Sequence, residues 1–507
     1  MVASAQAWFL FFFMVAAAVG AGAVDVDKSF FEEQQQERKK VVRSSLSNWT
    51  KTRHFHSVRR MPAPPLQDYN WTAALDRVQS SMESSFASGY ADSAESADLA
   101  LVQALVAKEH TVWIVDGELY VEKAFLGAMK SELHLRLMRT ALANAKRLGM
   151  KDVITNKKQK KVLAYAFQSS ASGSSKCDAN LPMFVIAKKY ADQCGVSIPN
   201  PYFGDVYGEW QSDFKRLQEL ALKSDWSRRN PRVFWRGAIR EHGESKKDAR
   251  CERDSGNYAR VSASALTLRF SESFDVRPVQ CANRKAKADC DANVYGLTDF
   301  ERKAQESNCK VVLGKFVPHA TFAKYKFVLD LPGSTSGSYS RNLNHLWLLG
   351  AVVLIWTGPN VDEKGADQWY SPALQDDHTH LVVDRDSAPV LVDAVNKDPL
   401  LRKYLLNNTK NVANRLLCPD CIVLFLFRVL RALQTHLPQF IHLLNAQNTQ
   451  VAQRRKNILH DKDRCHKLNL FHVVANEIPG RAHKTPIRVH VKPIKESACD
   501  LLDASSS

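Results

Sequence analysis

The chain has 507 residues, with 70 Lys and Arg against 53 Asp and Glu and a formal net charge of +17. That length suits two or three domains, or one catalytic unit of two lobes with extensions, and the charge suits an anionic partner such as a nucleotide phosphate, an acidic glycan, an acidic membrane surface or a nucleic acid. No zinc-finger spacing, RNA-binding aromatic signature or internal repeat supports nucleic acid, and much of the basic charge lies in the tails.

Trp8 to Val24 is an apolar run without charge, and Ala21-Gly22-Ala23 offers small residues for cleavage; residues 1–24 read as a signal peptide or a short signal anchor. No other stretch is long enough to cross a bilayer, because Cys421 to Leu433 is interrupted by Arg428 and Arg431. Residues 25–100 read as a polar stem or linker: Asp25 to Met61 is rich in Glu, Gln, Lys and Arg, and Ser80 to Ala97 is a loose linker or a surface helix.

Residues 101–225 read as a first lobe. Thr111 to Tyr120 is a hairpin about Asp116-Gly117, Ala124 to Leu148 is an amphipathic helix, and Val162 to Phe167 is a strand with a polar exit loop. A further strand at Leu181 to Ile186, a proline and aromatic turn at Ile198 to Phe203, and a helix from Trp210 to Leu222 complete it.

A second lobe covers 226–435. Its strand Val233 to Trp235 ends in Arg236 and Gly237, where a planar guanidinium either contacts a phosphate or forms a structural ion pair. Arg260, which opens the amphipathic segment Val261 to Phe270, is a second candidate for phosphate contact.

The most informative stretch is Tyr325 to Trp356: a buried strand ending at Pro332-Gly333, a loop of Gly and hydroxyl residues, a helix from Leu343 with Ser340 as its cap, Gly350 as its stop, and an apolar strand from Ala351. Such a strand, loop, helix, strand unit builds parallel sheets and turns amide groups toward an anion. Gly333 and Gly337 let a phosphate approach, Ser334, Thr335, Ser336, Ser338 and Ser340 donate hydrogen bonds, and Arg341 adds charge; a plain surface loop is the alternative. The spacing is neither a Walker loop nor a dinucleotide fingerprint. Beyond it lie an aromatic turn at Trp369 to Leu374, a strand at Thr379 to Asp384, a mostly helical region from Val390 to Leu433, and a basic, poorly periodic extension, 436–507.

Ten cysteines behind a candidate signal, with sequons at Asn48, Asn70 and Asn407, favour disulfides in an oxidising compartment. Cys281, Cys290 and Cys309 read as tying loops of a charged insertion. Cys418-Pro-Asp-Cys421 is alternatively a zinc half-site, but no second pair at finger spacing accompanies it, so no metal ligands are assigned.

Phe234-Trp235-Arg236-Gly237, then Arg260, Tyr325-Lys326-Phe327 with Gly333 to Gly350, Trp369-Tyr370 to His380, and the helix after Cys421 follow one another in an order that resembles the Rumi-like protein O-glucosyltransferases and the related capsule-associated xylosyltransferases. The resemblance covers roughly residues 150–435. It implies an α/β, GT-B-like fold of two Rossmann-like lobes with a cleft between them. It also implies inverting, metal-independent transfer of glucose or xylose from a UDP-sugar, without a cofactor, to a hydroxyl on a protein Ser or a glycan. The alternative is an inactive sugar- or protein-binding member of the same scaffold.

Carried onto this chain, the resemblance assigns the nucleotide sugar to Arg236, Gly237, Arg260, Gly333, Ser338, Ser340, Arg341 and Asn342. Ser340-Arg341-Asn342 stands where the family has a serine, an aromatic and an arginine. The family's base, an Asp just after the strand matched by Val162 to Phe167, has Ser169 near its place here; the nearest carboxylate, Asp178, is the expected base. The implied location is the secretory-pathway lumen, in the endoplasmic reticulum or Golgi, anchored or secreted; the final Ser505-Ser506-Ser507 is not a retrieval signal for the former.

Overall fold

Strand β1 (Thr111–Val115) is buried along its whole length and forms a hairpin with β2 (Glu118–Glu122), Val115 facing Glu118 across the turn. Asp116 and Gly117 hold φ of +47° and +85°, the left-handed pair that a two-residue hairpin turn needs. The structure, a computed structural model, describes residues 69–87, 111–122, 125–126, 129–155, 162–170, 182–190, 193–239, 256–280, 313–333, 338–357, 365–436, 470–476 and 489–493. All of these lie in one compact unit beginning at Pro64. The expected signal segment, Asp178, the run 334–337 and Cys281, Cys290 and Cys309 lie outside the described residues.

The protein is α/β, with one mixed and one all-parallel sheet. The mixed sheet adds β3 (Val162–Gln168), β4 (Met183–Val185) and β5 (Val196–Ser197) on one side of the hairpin, with β3 to β5 parallel. On the other side, β11 (Leu470–Asn476) pairs antiparallel with β2 and β12 (Val489–Pro493) with β11. The C-terminal extension, aperiodic in sequence, therefore supplies two strands. His472 ties them in: its ring stacks on Tyr120 and its Nε2 sits 2.9 Å from the Glu118 carboxylate, which also takes Arg139 at 2.9 Å.

The all-parallel sheet runs β10-β9-β8-β6-β7, built from β6 (Asn230–Ala238), β7 (Phe274–Gln280), β8 (Tyr325–Asp330), β9 (Val352–Trp356) and β10 (Leu381–Val383). Its central strands read as near-continuous apolar runs because helices cover both faces. Helix α5 (Gly256–Arg269) links β6 to β7, whereas the chain from β8 onward builds outward in the opposite direction. The strand order thus reverses between β6 and β8.

Of the remaining helices, α1 (Trp71–Ala87) falls in the stretch expected as linker. It buries Ala74, Val78, Met82 and Phe86, recurring at helical spacing, and is anchored by Tyr69, whose hydroxyl donates to the Ala373 carbonyl at 2.6 Å. Along the mixed sheet come α2 (Met129–Ala143), the one-turn α3 (Lys151–Ile154) and α4 (Gln211–Lys223). Then follow the one-turn helices α6 (His319–Phe322) and α7 (Leu343–Leu346), and α8 (Ser387–Lys397), α9 (Pro399–Leu416) and α10 (Pro419–His436). Helix α10 returns to pack on α1, α2 and α3. Among the described residues no helix is long and apolar enough to cross a membrane. The described cysteines are all in disulfides, and Cys418 is bonded to Cys421.

Ending the chain at residue 468 leaves β2 as a bare edge and strips Glu118 of His472. The expected result is a lower midpoint of thermal unfolding and concentration-dependent self-association in sedimentation; an unchanged midpoint would show that β11 and β12 add nothing.

Candidate functional site at the strand-order reversal

In an open parallel sheet a crevice forms beyond the carboxyl ends of the strands where the order reverses, because the connections leave in opposite directions. Here that place lies beyond β6 and β8, and Arg260 spans it. Its Nε donates to the Pro332 carbonyl at 3.0 Å and its Nη1 to the Ala238 carbonyl, so one guanidinium joins the ends of both strands. Asp330, the last residue of β8, is buried beside it and has one carboxylate oxygen without a hydrogen-bond partner. Burial pushes its pKa up to about 7, opposed by a hydrogen bond from Ser340 and the charge of Arg260.

Gly333 follows at a tight turn: its N–H donates to the Ser338 carbonyl at 2.6 Å, and a Cβ there would collide with the Ser338 side chain. Gly237 is equally constrained, since a Cβ would enter the Trp235 indole. Ser338 is buried. Ser340 does not cap α7, as its position before the helix suggested; Asn342 is the N-cap residue, without a side-chain cap bond. The helix is a single turn, because Asn344, Leu346, Trp347, Leu348 and Leu349 are all buried and the chain closes into a turn ending at Gly350, φ +59°. With so few aligned peptides the expected helix-end attraction for an anion is small.

Arg236 is engaged elsewhere. Its Nη2 lies 2.9 Å from both oxygens of Asp275, and its Nη1 donates to the carbonyls of Asp275 and Trp235. Arg277 and Tyr325 also bond to the Asp275 carboxylate. The Arg236 guanidinium lies over the Phe234 ring, whereas that of Arg260 lies over Trp235. Successive residues of a strand point to opposite faces, so the two arginines reach the sheet from opposite sides. For Arg236 the geometry is that of a structural ion pair.

Arg341 is exposed, 4.5 Å over the Tyr202 ring, and among the described residues no carboxylate lies within ion-pair distance of it. Its charge reaches Lys130 of α2, whose pKa is lowered by burial first and by Arg341 second. The Lys130 ammonium donates to the Ser169 carbonyl at 2.7 Å, just past β3. The position where a base was expected is thus occupied by Ser169 and backed by a lysine. The Asn342 amide oxygen accepts at 3.3 Å from His319 Nε2, and the His319 ring stacks on His345 at 4.0 Å; burial and His345 pull the His319 pKa down to about 4.

A buried polar chain locks this region to the mixed-sheet half. Asn200 donates to Gln368 at 3.0 Å, Gln368 donates to the Tyr370 hydroxyl at 3.3 Å, and that hydroxyl donates to Asn344 at 2.8 Å. Lys188 and Asp367 exchange backbone hydrogen bonds at 2.9 and 2.7 Å. The sequence pattern did not single out Lys130, Asp275 or Asp330, and marked Tyr370 only as part of an aromatic turn. Asp330 alone carried a local signal, an acid closing an otherwise buried strand. Among the described residues no group of His, Cys, Asp and Glu is placed to hold a metal ion.

No family model matches the chain, and no curated protein sequence matches it either.

Two outcomes follow from the electrostatics. Because the folded-state pKa of Asp330 lies above the unfolded value of 3.8, the native state holds the extra proton between about pH 4 and pH 7, and stability contributed there is lost as pH rises through 7. Asp330→Asn removes that dependence: measured by urea unfolding, the variant gains on the wild type between pH 5 and pH 8, by at most on the order of 4 kcal/mol; parallel pH curves would refute the burial argument. Arg236→Ala leaves Asp275 without its bidentate partner and should cost on the order of 3 kcal/mol, which the same measurement reads; a loss within about 0.5 kcal/mol would show that the pair carries no structure.

Proposed function

We propose that the chain is an inverting glycosyltransferase that moves glucose or xylose from a UDP-sugar to a hydroxyl of a protein Ser or a glycan, on a GT-B-like scaffold in the secretory-pathway lumen. One observation carries the reading: Lys130, bonded to the Ser169 carbonyl just past β3, and Arg341, over the Tyr202 ring after the turn that follows β8, place two cations without a described acidic partner beside the strand-order reversal. Holding two cations together is unfavourable unless an anion joins them, and a diphosphate has the charge and length to do so.

On this reading the diphosphate lies between Lys130 and Arg341, with Ser338 as a hydroxyl donor and the Gly333 turn allowing close approach. Arg260 and Asp330 hold that turn in place. Charge that develops on the departing UDP is compensated by fixed ammonium and guanidinium groups, which suits a transfer that needs no divalent ion. Asp178 is the proposed base, removing the acceptor proton from the opposite face so that the anomeric carbon inverts. Tyr202, stacked under Arg341, offers a flat apolar wall for a base or sugar ring.

A second reading, a sugar- or protein-binding member of the scaffold without transfer activity, is favoured by Ser169 standing at the end of β3 in place of a carboxylate. Calorimetry with UDP and hydrolysis of UDP-glucose and UDP-xylose separate the two. Lys130→Ala, Arg341→Ala and Arg260→Ala should each weaken UDP binding about tenfold or more. Asp178→Asn should keep UDP affinity and lower turnover by about 10²–10⁴. UDP affinity unchanged in all three cationic variants overturns the site; tight UDP binding without turnover selects the binding protein.

A further inference from the structure

The bond between Cys418 and Cys421 closes a small ring around Pro419 and Asp420 at the first turn of α10. A loop this short removes little freedom from the unfolded chain, so the bond is a weak staple. Its surroundings fit another use. The Sγ of Cys418 accepts a hydrogen bond from the Cys421 backbone N–H at 3.1 Å, while the Ile422 N–H bonds to the Cys418 carbonyl at 3.0 Å. Cys418 therefore stands where a helix cap stands, and a thiolate there is stabilised by the free amides of an 18-residue helix.

Cys421 has the complementary setting: its Sγ lies 3.4 Å from the Asn414 carbonyl. A carbonyl accepts from a protonated thiol and repels a thiolate, so this sulfur is placed to be the protonated member of a reduced pair. Both cysteines are partly exposed. The frame around them does not need the sulfur bond. Asp420 takes Arg147 at 2.6 Å and the Tyr207 hydroxyl at 2.7 Å, Arg147 stacks on Tyr207, and Trp210 donates to the Leu417 carbonyl at 2.8 Å.

We infer that Cys418 and Cys421 form a dithiol–disulfide exchange site, with Cys418 as the sulfur that joins the client and Cys421 as the sulfur that leaves, and that the client is a dithiol or a pair of thiols. A client thiolate attacks Cys418 Sγ, and the Cys418–Cys421 bond breaks. Cys421 leaves, takes a proton from solvent and donates it to Asn414. The client's second thiolate attacks the client sulfur of the mixed disulfide, expelling the Cys418 thiolate onto the Cys421 N–H. Two client thiols become one disulfide, two protein cysteines are reduced, and two electrons pass between them. This chemistry is separate from the anion site and stands whether or not that site turns over a UDP-sugar.

The full chain, equilibrated in glutathione buffers, quenched with acid, alkylated and mapped by mass spectrometry, tests it. The Cys418–Cys421 bond should open and reclose reversibly at a ratio of squared reduced to oxidised glutathione about tenfold or more below that which opens the remaining disulfides. With oxidised glutathione, Cys421→Ser should trap glutathione on Cys418 about tenfold faster than Cys418→Ser traps it on Cys421. A bond that stays closed until the others have opened overturns the proposal, and so does equal trapping by the two variants. The first measurement uses the unaltered protein and stands if a variant fails to fold.

Discussion

Arg260 is the tie on which the carboxyl end of the parallel sheet depends. Parallel strands are joined only by their ladders, and at the reversal between β6 and β8 the connections diverge, leaving strand-end carbonyls without partners from the next element. One guanidinium bonds to Ala238 and Pro332 and so closes the gap. Asp330 beside it is held toward its neutral form by burial, against a hydrogen bond from Ser340 and the charge of Arg260. The turn at Gly333 and the backbone leading to Arg341 are therefore placed by the Arg260 hydrogen bonds and the Ser340–Asp330 contact rather than by a helix end.

The cations among the described residues divide by how far the fold itself uses them. Arg229 is buried and donates to four carbonyls, those of Ala221, Ser224, Leu349 and Gly350, joining the end of α4 to the turn after α7. Arg236 is consumed by Asp275, and Arg260 by strand ends. Lys130 and Arg341 are different: the first has a carbonyl, the second an aromatic face, and burial first and the charge of Arg341 second lower the Lys130 pKa. A net charge of +17 says nothing about this division, since it is made by distance and burial.

The halves that carry Lys130 and Arg341 are held by elements far apart in the chain. The polar chain from Asn200 to Asn344 and the backbone exchange between Lys188 and Asp367 lie between the sheets. Helix α1 docks on residues 371–373 and α10 returns across α1 and α2. Fixing the two sheet-bearing halves in this way holds the distance between Lys130 and Arg341 constant, as the proposed anion site requires. The Cys418 turn opens α10 itself, so a change in its bonding occurs on the helix that spans both halves.

What the sequence determined by itself was local. The Asp116-Gly117 turn, the apolar runs of β3, β8 and β9, the amphipathic spacing of α2 and α4 and the helical region after residue 387 follow from neighbours within a few residues, where steric and hydrophobic periodicity act. Tertiary structure decided the rest. The strands β11 and β12 carry no period because pairing of β11 with β2 and of β12 with β11 orders them, and α1 looks like a linker until Phe86 is buried. Arg236 and Arg341 carry the same charge and differ only in whether an acid such as Asp275, distant in sequence, lies within reach. Partnering of charges depends on spatial neighbours brought together by the fold, and a linear pattern does not contain those distances.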